Sequence, residues 1–153
     1  MRSVIMRLGF AFVAGSQVVT WSARYLAAQR GNSIPVTRLY AGPDGQAYAE
    51  KTALNLRRSS LHAGLDESAP LKATGAQFLR WPAGTVWEWH TASKRQYVIA
   101  VSGRGEVEVA GGQEIPLNPG QILLAEDVTG KGHTTRVLGS EDLVLLLVPL
   151  VAQ

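Results

Sequence analysis

His90 stands in the stretch WEWHTASKRQYVIAVSG (87–103), six residues before Gln96, and His133 closes the turn Gly130-Lys131-Gly132. Imidazole changes charge near neutral pH, so a buried histidine can act as general acid or base. A glutamine amide beside it can hold the ring or a substrate carbonyl. Isomerisation, dehydration and cyclisation are reactions of this proton-moving kind. Glu126 and Asp127 lie just ahead of the Gly130–Gly132 turn, where paired carboxylates could orient a histidine or bind a ligand amine; a solvated turn is the alternative. Lys94-Arg95 read as a solvated turn, or as an attractor for an acidic substrate at a cavity mouth. His62, between Leu61 and Ala63, reads as a surface residue. No Ser-His-Asp order is present, and the glycine-rich turns lack the following helix that phosphate binding needs.

Strands must position these groups. From Ser33 onward, turn residues recur about every ten positions. Between them lie QYVIAVS (96–102), GEVEVAG (105–111), QILLAE (121–126), HTTRVLG (133–139) and DLVLLLVPL (142–150), rich in β-branched and apolar residues. This rhythm, with no helical period between strands, predicts an antiparallel sandwich or barrel. Residues two apart share a face of a strand. Val86, Glu88 and His90 are therefore expected to point one way, and Trp87 and Trp89 the other. By the same rule Gln96, Val98 and Ala100 face inward, with Tyr97 and Ile99 outward. Trp81, Trp87 and Trp89 read as sheet packing or a dimer surface. The stretch 50–75 has no clear period and reads as one short strand plus an irregular connection.

The 153 residues suffice for one domain with a self-sufficient core. There are no cysteines, which excludes disulfides and thiolate metal sites. Residues 1–33 carry four arginines and no acid, whereas the rest holds 11 Lys/Arg against 12 Asp/Glu. A nucleic-acid binder would carry its basic patch on the folded domain, so nucleic acid is discounted as a partner. The leader, with the apolar LGFAFVAG (8–15), fits a secretory or organelle targeting segment. The alternatives are an N-terminal helix packed on the domain, over about 5–30, or an over-long start; without targeting the protein would be cytoplasmic. No apolar run reaches the ~20 residues of a membrane span.

Residues 81–150 resemble the cupin superfamily. Its first motif is matched in spacing by Gly84, TVWEW, His90, Thr91, Ala92, SKR, Gln96, YVIAVS and Gly103. Both glycines and the first histidine are kept; Ala92 replaces the second histidine and Gln96 the glutamate. The second motif opens at Asn118-Pro119-Gly120 and closes at Gly130-Lys131-Gly132-His133, with EDVTG as a two-residue insertion. His133 falls on the family's third histidine.

The resemblance implies an all-β fold, a jelly-roll β-barrel or double-stranded β-helix over 34–153, behind a leader at 1–33. It implies that His90, Gln96 and His133 gather in one pocket, with Glu88 within reach, and that the protein is a homodimer. These three residues stand where a cupin keeps its metal, which would be iron, manganese, nickel or zinc. Two imidazoles and an amide make a degenerate site unless Glu88, Glu126 or Asp127 supplies a carboxylate, and a metal-free pocket is the alternative. The first functional expectation is a small-molecule enzyme, an isomerase, lyase or oxygenase, using His90, His133 and Gln96. The second is a barrel that binds a small ligand without catalysis, and the third a purely structural domain. The retained polar pocket favours the first two.

Overall fold

Eleven β-strands and no α-helix build residues 32–152, the span that the computed structural model describes. The helix and targeting role expected of the leader lie outside these residues. β1 (Ser33–Ala41) and β2 (Ala47–Arg58) form a hairpin, in register from Ser33 opposite Asn55 to Ala41 opposite Ala47. A short β3 (Asp66–Ser68) adds to the outer edge of β2. There follow β4 (Gln77–Trp81), β5 (Val86–His90), β6 (Gln96–Ser102), β7 (Arg104–Val109), β8 (Gln113–Leu117), β9 (Ile122–Glu126), β10 (His133–Leu138) and β11 (Leu143–Pro149). The stretch 50–75 departs from expectation, because β2 runs 12 residues. Backbone pairing to the full length of β1 holds it extended where side-chain period gives no signal.

The strands form two sheets, one ordered β3-β2-β1-β9-β6-β11-β4 and the other β5-β10-β7-β8. β1 and β9 run parallel; the other named pairs are antiparallel. The all-β jelly-roll barrel expected from the sequence is the architecture found. No helix among the described residues is long and apolar enough to cross a membrane.

Alternation explains most of the packing. In β7, Val107 and Val109 are buried, while Glu106 and Glu108 take the other face. There both carboxylates accept from Arg136 of β10, at 3.1 and 2.5 Å. The main core gathers Leu39, Ile115, Leu117, Val137 and Leu143 from both sheets. β11 is nearly all apolar because both its faces are covered: Leu143 and Leu145 enter the main core, and Val148 packs on a second cluster of Val36, Tyr97 and Leu124. Tyr97 thus points away from Gln96, as alternation requires, yet is buried. Between β6 and β7, Gly103 has φ +74°, and a methyl group there would overlap the Asp142 carbonyl. Only glycine meets both conditions.

Leu143 is fully buried and Phe78 is 68% exposed on the edge strand β4. In urea denaturation, Leu143→Ala is expected to cost about 2–5 kcal/mol. Phe78→Ala should change stability by less than about 0.5 kcal/mol.

Candidate functional site

The site begins with a mismatch between β5 and β10. His90 pairs with His133, but Trp87 pairs with Thr135, so β5 takes three steps where β10 takes two. One extra residue on β5 makes a β-bulge, which shifts the inside–outside alternation by one. Trp87 and His90, of opposite parity in sequence, consequently line the same cavity. This corrects the strict alternation expected along 86–90. Glu88 is exposed, lies outside the cavity lining and contributes only its backbone, whose carbonyl accepts a 2.7 Å hydrogen bond from His90 Nδ1. The tryptophans also depart from expectation. Trp87 stacks on His90 with ring centres 4.0 Å apart and planes within 10°, and Trp81 meets Trp87 edge-on at 5.3 Å. Trp81 and Trp87 both line the cavity, whereas Trp89 remains on the outside. The sequence signals neither: the bulge that turns Trp87 inward carries no residue signature in VWEWH, and the pairing of β4 with β11 that places Trp81 is not written in QFLRW.

His133 is placed by its own strand and by the preceding loop. Asp127 is fully buried, and its Oδ2 lies 2.5 Å from His133 Nδ1. The Asp127 carbonyl accepts from the Ala92 N–H at 3.2 Å, tying this loop to the end of β5. Gly132, at φ +72°, packs so closely on the His90 carbonyl that a side chain would overlap it. The two imidazoles meet edge-on at 4.4 Å between ring centres. Their tautomers follow from their partners. A carbonyl only accepts, so His90 carries its proton on Nδ1, and an ionised Asp127 likewise fixes the proton of His133 on Nδ1. Nε2 of each ring then holds a free lone pair. Partial burial, opposed only in part by the Glu88 carbonyl, holds His90 below the usual histidine pKa, and the neighbouring His133 pushes the same way. His90 is therefore neutral at pH 7.

The cavity encloses about 360 Å³ between the two sheets. Leu39, Val98, Val107, Leu117, Leu123 and Leu145 make an aliphatic floor. His90, His133 and Gln96 all line it, as expected, with Gln96 reaching it from the seven-stranded sheet. Lys94 and the buried Ala92 also line it. Glu126 does not: it leaves β9 on the face opposite Leu123 and Ala125. There Arg38 Nε binds it at 2.5 Å and Arg95 binds its second oxygen. Burial disfavours its charge, but the hydrogen bonds from the two arginines outweigh burial and hold its pKa below the usual carboxylate range. Glu126 and Asp127, adjacent in sequence, therefore do different work. His62 is exposed between β2 and β3.

Residues 77–149 match the family described as Cupin domain. No curated protein matches. Among solved structures, a cupin-2 domain containing protein from Shewanella frigidimarina aligns at 16% identity and TM-score 0.39, covering 50% of this chain and 69% of its own. The Cnp3 cupin domain of Schizosaccharomyces pombe aligns at 16% identity and TM-score 0.40, covering 82% and 88%. A Thermotoga maritima protein described as a predicted oxalate decarboxylase aligns at 18% identity and TM-score 0.38, covering 76% and 93%.

The donor set does not fit the divalent metal that the resemblance implies. The cavity offers two imidazole nitrogens and a neutral amide; Glu88 and Glu126 are elsewhere, and Asp127 is engaged behind His133. Among the described residues, no cluster of three or more His, Asp or Glu side chains could hold a metal ion. A hard or borderline divalent ion would thus bind without charge compensation.

Two outcomes follow from this geometry. Metal analysis of the purified full-length protein, after incubation with iron, manganese, nickel or zinc, should find well under one equivalent. A full equivalent that both His90→Ala and His133→Ala lose would reverse that conclusion. Because the folded pKa of His90 is depressed, the unfolded chain binds its proton first as pH falls. Stability associated with neutral His90 is present above about pH 6.5 and declines as pH drops below it. Urea midpoints measured from pH 8 to 5 should show this decline, and His90→Gln should flatten it.

Proposed function

From the match of residues 77–149 to the Cupin domain family, we propose that this chain is a small-molecule enzyme of cupin type whose cavity histidines move protons. The barrel of residues 34–153 is the functional unit in this reading. The observation that carries it is the Asp127–His133 hydrogen bond, a buried carboxylate fixing one tautomer of a cavity imidazole. The arrangement uses the logic of histidine general bases elsewhere: an acidic partner orients the ring and faces the positive charge it gains. His133 Nε2 takes a proton from a carbon next to a substrate carbonyl. The C–H electron pair stays with the substrate as an enolate, and the new N–H bond leaves an imidazolium 2.5 Å from the Asp127 carboxylate. Neutral His90, 4.4 Å away, is a second proton acceptor on the same wall. From the opposite sheet, the Gln96 amide can donate to the enolate oxygen. Returning the proton to another carbon gives isomerisation; donating it to a departing β-hydroxyl, which leaves as water, gives dehydration.

A second reading is a barrel that binds a small ligand and leaves it unchanged. It draws on the Trp81–Trp87 pair, which supplies binding area rather than chemistry.

Proton exchange separates the two without knowledge of the natural substrate. The full-length protein is incubated in D2O with a panel of 2-oxo acids, β-keto esters and aldoses, and loss of α-proton signals is followed by NMR. Exchange with at least one compound should exceed buffer and fall by about 100-fold or more in His133→Ala, with a smaller loss in Asp127→Asn. Exchange that persists unchanged in His133→Ala would overturn the assigned role. No exchange with any compound would leave the binding reading in its place.

A further inference from the structure

Charge is unevenly distributed around the cavity. Its lining holds one ammonium group, two imidazoles and the amides of Gln77 and Gln96, with no carboxylate. The three acids singled out from the sequence are each accounted for: Glu126 is bound by Arg38 and Arg95 on the other face of its sheet, Asp127 lies behind His133, and Glu88 is exposed outside. Lys94 and Arg95 are neighbours in the turn leading into β6, yet only one of them is committed. Arg95 joins Glu126, whereas Lys94 lines the cavity and has no ion-pair partner among the described residues. An ammonium group at the rim of an apolar cavity, with no anion to meet it, attracts an anionic ligand. The remainder of the wall is mostly aliphatic, with the hydroxyls of Thr91, Ser93 and Thr135 and the edge-on pair Trp81 and Trp87.

We infer that the cavity takes a small organic anion, an apolar or aromatic body ending in one carboxylate, with Lys94 as the specificity-determining charge partner. The inference rests on the reading of this cavity as a small-molecule site, and adds the class of molecule. Size agrees: about 360 Å³ is near the lower end of the range for small-ligand pockets. The apolar body lies on the leucine and valine floor and against the indole faces. Its carboxylate sits at the rim, where Lys94 supplies charge and Gln96 a hydrogen-bond donor. A divalent or strongly hydrated anion fits poorly, because one ammonium group cannot compensate two charges over an aliphatic floor.

The test compares 3-phenylpropionate with its uncharged amide, 3-phenylpropionamide, by isothermal titration calorimetry on the full-length protein. The acid should bind at least about fivefold more tightly than the amide, a preference weakened by salt. Lys94→Gln should reduce the acid to the affinity of the amide and leave the amide unaffected. Lys94 is exposed, so this variant should keep the wild-type circular dichroism and melting temperature. Trp87→Ala should weaken both probes. The inference is overturned if the amide binds as well as the acid, if Lys94→Gln retains the acid's advantage, or if neither probe binds. Equal binding of both probes, lost in Trp87→Ala, would remove the anion class while leaving the cavity as a small-molecule site. An acid preference without proton exchange would remove the enzyme and leave the anion binder.

Discussion

Between Trp87 and His90 the fifth strand takes three steps while its partner takes two, and the polar end of the cavity follows from that mismatch. A regular ladder would turn Trp87 outward whenever His90 turned inward. The bulge brings both inside, stacked at 4.0 Å, so the imidazole is held by an indole on its face and by the Glu88 carbonyl on its Nδ1. His133 then meets the same ring edge-on at 4.4 Å across the pair. Gly132 completes the arrangement, since its missing side chain lets the loop before β10 close on the His90 carbonyl. A backbone irregularity of one residue thereby sets two side-chain orientations and one tautomer.

The dyad of Asp127 and His133 is costly to maintain. Asp127 is fully buried, and its Oδ1 has no hydrogen-bond partner among the described residues; the same is true of Thr134 Oγ1. A buried carboxylate with one protein partner repays only part of its desolvation. An apolar residue at 127 would satisfy packing more cheaply, so the acid is explained by what it does to His133 rather than by stability. The contrast with Glu126 supports this view. That carboxylate, on the opposite face of the sheet, is fully paired with two arginines and serves the fold.

Much of this was legible in the residues themselves. Period-two alternation places Val107 against Glu106, and Tyr97 against Gln96, on opposite faces, and turn spacing gives most of the strands. The motif spacing brings His90, Gln96 and His133 to one cavity. What stayed hidden has physical reasons. A bulge is a relation between two strands, so VWEWH alone cannot report that Trp87 turns inward or that Glu88 leaves the site. The length of β2 comes from the ladders that β1 offers up to Asn55 and β3 offers to Leu56–Arg58, and its own side chains, mostly exposed, carry no period. Adjacent Glu126 and Asp127 look alike as a pair, although the end of β9 falls between them and sends them to different partners.

Five residues, Leu39, Val107, Leu117, Leu123 and Leu145, belong at once to the main hydrophobic core and to the cavity floor. Reshaping that floor for a different molecule would therefore be taxed in folding stability at each step. The rim carries no such obligation. Thr91, Ser93 and Lys94, none of them buried, stand in the short connection 91–95 between β5 and β6 and contribute part of the polar lining. The cavity is in this sense modular: its rim can be rewritten at Thr91, Ser93 and Lys94 without touching the hydrophobic interior.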